Sequence, residues 1–126
     1  MKTLCQSIGT PPLQLDVFIV EAGTGIQVYL GGGESPHIGS VAISQPRPSL
    51  ENPNINSCTT SIINLLGHKD DKPAVLFAEG FCKKFNCVTV VSAGIHIVSA
   101  TSEELQTIMR LSGDLLEKSL IEWENT

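Results

Sequence analysis

At 126 residues and 41% hydrophobic content, the chain has the length and apolar material of one globular domain with a core of its own. Its net charge is −5, and its eight Lys and Arg residues are scattered rather than striped. Counterion release on a phosphate backbone is therefore excluded, and nucleic acid is not an expected partner.

No stretch approaches the roughly 18 apolar residues of a membrane helix. The opening MKTLCQSIGTPPLQLD has no apolar signal core, so a cytoplasmic protein with no membrane partner is expected. Four cysteines, Cys5, Cys58, Cys82 and Cys87, form no C-x-x-C pair. They read as reduced thiols serving as small buried apolar side chains.

In chain order, LQLDVFIV (13–20) is apolar and rich in β-branched residues, and IQVYL (26–30) alternates; both predict strands. EAGTG between them supplies Gly23 and Gly25 for a hairpin turn. HIGSVAIS (37–44) predicts a third strand, with Gly39 as a bulge or a close backbone approach. QPRPSLENPNINS (45–57) has three prolines and no periodicity, so a surface loop is expected. CTTSIINLL (58–66) predicts a fourth strand.

DKPAVLFAEGFCKKFN (71–86) places Ala74, Val75, Ala78, Phe81, Cys82 and Phe85 on one helical stripe, with Asp71 as the expected N-cap and Pro73 in the first turn. CVTVVSAGIHIV (87–98) predicts a strand ending in a glycine-marked segment. Residues 101–123 open with the capping box of Thr101 and Glu104. They carry Leu105, Ile108, Met109, Leu115, Leu116 and Leu120 at helical spacing, and Gly113 marks a bend or close packing in the middle. The order β-β-β-β-α-β-α predicts a single α+β domain over 1–126, a mainly antiparallel sheet with two helices packed on one face.

The three histidines each stand at a glycine-marked junction: His37 in GGGESPHIGS, His68 in LLGHKDD and His96 in SAGIHIV. Singly, each reads as a half-buried histidine bonded to backbone; together they suggest element ends converging on one cleft. The LLGHKDD segment precedes a helix, where free N–H groups and Lys69 would favour a phosphate. Asp70 and Asp71 oppose an anion there and equally suit an ordinary capped helix start. His37, His68, Asp70 and His96 could instead form a nitrogen and oxygen ligand set for a metal ion, as in a metal-dependent enzyme. No G-x-S-x-G elbow, P-loop or kinase signature is present, and GGG at 31–33 lacks the continuation of a dinucleotide site.

GGGESPHIGSV, then GHKDD opening a helix, then SAGIHI leading to a last helix together resemble the prenylated-flavin chaperone family. These are the LpdD-like small subunits that accompany UbiD-type aromatic-acid decarboxylases such as gallate decarboxylase. The resemblance implies a proteasome-assembly-chaperone-like fold, a homo-oligomer, and a non-enzymatic carrier. Such a carrier holds reduced prenylated FMN, or FMN, and hands it to an apo-decarboxylase, with a flavin prenyltransferase as a further partner. The cofactor-binding residues it implies are Gly32, Gly33, Pro36, His37, Ile38 and Gly39, then His68, Lys69 and Asp70, then Gly94, Ile95 and His96. Lys69 and the helix start would take the phosphate, His37 and His96 the polar edge of the ring, and Ile38 and Ile95 its face. Two alternatives to this reading are the metal-dependent enzyme and an assembly chaperone with no small-molecule ligand.

Overall fold

The computed structural model describes residues 1–65 and 71–126. Eight elements follow one another: β1 (Thr3–Thr10), β2 (Leu13–Ala22), β3 (Gly25–Gly33), β4 (Ser40–Pro48), β5 (Asn56–Asn64), α1 (Asp71–Phe85), β6 (Thr89–His96) and α2 (Ser102–Asn125). The six strands form one sheet in the order β1-β2-β3-β6-β4-β5. Four pairings are antiparallel and one, β3 with β6, is parallel, so the α+β expectation holds with one strand added at the front.

That added strand is β1, where the sequence reading had none. TLCQSIGT does alternate, with Leu4, Gln6 and Ile8 half-buried and Thr3, Cys5 and Ser7 exposed, but its outward side is too mixed to stand out. The turn at EAGTG joins β2 to β3 as expected, with Gly23 at φ +62.

Both helices lie on one face of the sheet. Leu15, Val17 and Ile19 of β2, Val28 and Leu30 of β3, and Val91 and Ala93 of β6 point into a single core with Phe77, Phe81, Leu115 and Trp123 from the helices. Burying an aromatic of this size stabilises by about 1.5–3 kcal/mol, so the two stacked phenylalanines of α1, 6.5 Å between ring centres, anchor that helix. Glu79 adds a polar tie by accepting a 2.7 Å hydrogen bond from Thr60 of β5, whose hydroxyl is also 2.8 Å from Ser44 of β4.

Several expected boundaries shift. The region 45–57 is not all loop: β4 runs on to Pro48 and β5 begins at Asn56. The prolines are tolerated because β4 pairs with β6 only through Ser40–Ser44, so Pro46 and Pro48 lie where one side of the strand has no ladder partner. The third strand starts at Ser40, not at 37, and the last strand is confined to Thr89–His96. Asp71 is the first helical residue of α1 rather than its cap.

In α2 the capping box is present, with Glu104 N–H donating to the Thr101 hydroxyl at 3.1 Å and Thr101 N–H to the Glu104 carboxylate at 2.9 Å. The stripe differs from the expected one: Leu111 and Trp123 join Ile108, Leu115 and Leu116 in the core, whereas Leu105 and Met109 stay exposed. The far end of α2 docks on β1, where the Lys2 ammonium lies 4.2 Å from the centre of the Trp123 ring and donates to the Trp123 carbonyl.

Gly113 marks no close packing, because a Cβ added there meets nothing outside its own helix. Gly113→Ala is therefore expected to raise stability by about 0.5–1 kcal/mol, read from the urea midpoint.

The four cysteines are free; Cys58 and Cys82 are buried and Cys87 is half-buried, while Cys5, contrary to expectation, is exposed on β1. Burial, reinforced by neighbouring Cys58, Cys87 and Glu79, pushes the Cys82 thiol up from 9.0 to about 11. The folded state thus favours the neutral thiol: this contribution is complete below pH 9 and is lost as pH rises towards 11. Denaturation midpoints between those pH values should fall more steeply for the natural chain than for Cys82→Ala. In the folded state, alkylation at pH 8 should label Cys5 well before Cys82.

Candidate functional site

Strand β6 is inserted between β3 and β4, so the chain leaving β3 must pass around the end of β6 to reach the far side. GGGESPHIGS makes that passage. Gly33, at φ +73, ends β3 in a backbone conformation that side chains disfavour, and the backbone of the next residues wraps the last turn of β6. The His96 carbonyl accepts from Glu34 N–H at 2.7 Å and Ser35 N–H at 3.4 Å, and the Ala93 carbonyl accepts from Gly39 N–H at 2.8 Å. The Glu34 carboxylate in turn accepts from Val98 N–H at 2.9 Å.

The wrap is close. A Cβ on Gly94 would fall inside the His37 carbonyl group, and one on Gly33 inside that of His96. Tyr29 donates its hydroxyl to the same His37 carbonyl at 3.0 Å, and its ring lies over Gly31. The space cleared by these glycines is filled by the protein's own chain. Gly32 follows the same rule, its missing side chain leaving room for the Gln14 carbonyl and Leu15.

His37 and His96 do come together, with ring centres 6.3 Å apart and planes nearly perpendicular. His37 Nδ1 lies 2.9 Å from the Ser35 carbonyl, which can only accept, so Nδ1 carries the proton. Pro36 and Ile38 are exposed, the latter by 54%, and Gly39 is buried. His68, Lys69 and Asp70, the expected second motif, lie outside the described residues. Among the described residues no three His, Cys, Asp or Glu side chains are grouped to hold a metal ion.

A cavity of about 480 Å³ opens on the helix side of the sheet, where the start of α1, the end of β6 and the start of α2 meet. Its walls are Asp71, Lys72 and Pro73 of α1, Ile95 and His96 of β6 with Ile97 beyond it, and Ala100, Leu105, Ile108 and Met109. Of the residues expected to bind a ligand, Ile95 and His96 line this space; the first motif lies mainly on the other side of β6, touching the site through His37 beside His96.

Sequence reasoning missed Lys72 and the lip formed by Leu105 and Met109. The signal was present: an apolar stripe on α2 wider than its packing requires, since Leu105 is 56% exposed and Met109 39%. The volume is within the range of small-molecule pockets. A mainly apolar cavity with Lys72 beside Asp71 on its α1 wall suits a ligand that has an apolar body and a group a lysine can pair.

A family model described as the prenylated flavin chaperone LpdD-like domain matches residues 9–124. The chain belongs to this family. No curated protein matches the sequence. A solved structure titled as a novel chaperone complex for yeast 20S proteasome assembly contains a similar chain, with a TM-score of 0.60 over 98% of this chain and 95% of that one. At 20% identity this likeness shows the fold alone, a proteasome assembly chaperone fold. Among the described residues no helix is long and apolar enough to cross a membrane.

The crossing at Gly94 yields a direct test. Gly94→Ala should cost about 1–3 kcal/mol by forcing the 34–39 segment off β6. It should also speed hydrogen exchange at the Glu34 and Gly39 amides relative to those of the β1–β2 pair.

Proposed function

We propose that this member of the LpdD-like family is a non-enzymatic carrier that holds reduced prenylated FMN and delivers it to an apo UbiD-type decarboxylase. The observation that carries the reading is the apolar cavity of about 480 Å³ at the meeting of β6, α1 and α2 in a chain of the prenylated-flavin chaperone family. The flavin is the cargo, and its redox chemistry belongs to the enzyme that receives it.

The chain's own residues supply containment. Ile95, Leu105, Ile108 and Met109 offer aliphatic surface to a flat ring without reactive groups. Lys72 and the first amides of α1 offer charge and donors for a phosphate, with Lys69 preceding them in sequence. Asp71 at the same wall disfavours a second negative group, which limits how tightly an anion is held and suits a cargo that must leave. His96 stands where the wall meets the strap, the 34–39 segment that crosses β6, with the His37 ring close by.

Anaerobic titration with reduced prenylated FMN tests the assignment. The natural chain should bind it, Lys72→Ala should bind about tenfold more weakly, and Leu105→Glu should weaken binding further without changing the fold. Apo-decarboxylase should gain activity faster from the loaded carrier than from the same amount of free flavin. Unchanged affinity in both variants would move the ligand elsewhere, and no binding by the natural chain would favour a chaperone without a small-molecule ligand. A stoichiometric metal in protein purified without added metal would instead favour the histidine-based enzyme.

A further inference from the structure

The connection from β6 to α2 carries one wall of the cavity. Ile97 and Ala100 of residues 97–100 line it, as do Leu105 and Met109 on the first turns of α2. This wall is thinly packed. From Ile97 to Thr107 no side chain is fully buried, Val98 is 62% exposed, and the first buried residue of α2 is Ile108. Stretches with so few buried contacts open locally at lower cost than the core beneath them. Ile97 leans on the core, and beyond it hydrogen bonds must hold the wall.

Two such ties are present. At the α2 end, the capping box of Thr101 and Glu104 fixes the start of the helix. At the β6 end, the Glu34 carboxylate accepts from Val98 N–H at 2.9 Å. Among the described residues this is the one hydrogen bond from 97–100 to another part of the chain. Between the two ties lies Ser99 at φ +52, a left-handed conformation that a residue with a Cβ keeps only where its surroundings enforce it. Glu34 is itself firmly placed. Gly33 pairs with His96 in the β3–β6 ladder, and Glu34 N–H donates to the His96 carbonyl at 2.7 Å, so its side chain starts beside the end of β6.

We propose that Glu34 is a positioning residue of the cavity: through Val98 it holds the wall formed by 97–100 and the start of α2, and so sets how long a bound molecule is retained. The identity of that molecule rests on the carrier reading; the hold on the wall does not. Glu34 does not line the cavity, so it acts on the wall and not on the ligand. Its charge alone would act in the opposite direction. Removing a carboxylate favours retention of an anionic ligand, whereas freeing the wall shortens its stay. The strap thereby has a task that its glycines do not explain: it fastens the wall of a cavity that it does not itself enclose.

Anaerobic stopped-flow release of reduced prenylated FMN, read beside amide hydrogen exchange of the ligand-free full chain, tests this. Glu34→Ala should release the flavin about fivefold faster with its association rate unchanged, and should speed exchange of the Val98 amide about tenfold while the β1–β2 amides keep their rates. Glu34→Gln removes the same charge but keeps an acceptor oxygen, and should recover most of the hold in both measurements. Glu51→Ala, a charge removed from the 49–55 loop, should change neither. Equal Val98 exchange in the natural chain and Glu34→Ala overturns the hold on the wall. Faster exchange with unchanged release overturns its role in retention, and so does a Glu34→Gln chain that releases as fast as Glu34→Ala. A natural chain that takes up no flavin overturns the carrier reading instead, and Val98 exchange then still decides whether Glu34 holds the wall.

Discussion

Everything in this molecule is arranged around one late strand. The β1–β2–β3 meander and the β4–β5 hairpin do not pair with each other; β6 joins them, parallel to the first and antiparallel to the second. A strand that pairs on both edges satisfies its backbone twice over, and its inward residues Val91 and Ala93 are fully buried. It is also the segment that waits longest for its partners, since β3 and β6 are separated in sequence by β4, β5 and α1. Non-local pairing of that kind carries a loop-closure cost that must be met before the contacts form.

The same insertion explains where a site can be. At the end of β6 the end of the meander, the start of the hairpin and the starts of both helices come together, so loop backbone and aliphatic side chains meet there. Ile95 faces the helix layer and the cavity; Gly94 faces the other way and carries the strap. Alternation along a single strand thus separates a cavity wall from a structural crossing within two residues.

This division shows what could be read from the sequence. Strands β2 and β3 were legible because one face is buried, which imposes a period of two on their side chains. The box at Thr101 and Glu104 was legible because a helix start has unpaired N–H groups that only certain side chains satisfy. The sequence shows the glycines of 31–33 but not what lies against them: Tyr29 over Gly31, β2 beside Gly32, and the end of β6 at Gly33, which requires knowing that β6 lies between β3 and β4. The sequence reading of α2 gave Leu105 and Met109 the same role as Ile108, because hydrophobic spacing marks an apolar stripe and not whether protein or a cavity lies beneath it. Pro46 and Pro48 misdirected the loop assignment since their tolerance depends on where a neighbouring strand stops.

The strap also sets where this domain can change its length. Between β4 and β5 the chain turns through residues 49–55 on the surface, held by a few local hydrogen bonds among Ser49, Asn52 and Ile55, and extra residues there would displace nothing. Residues 33–39 have no such freedom: a positive φ at one end, a missing side chain in the strand beneath and two carbonyls already claimed fix the path atom by atom. Fusions, tags and natural insertions belong in the first loop, and the second is a segment of constant length.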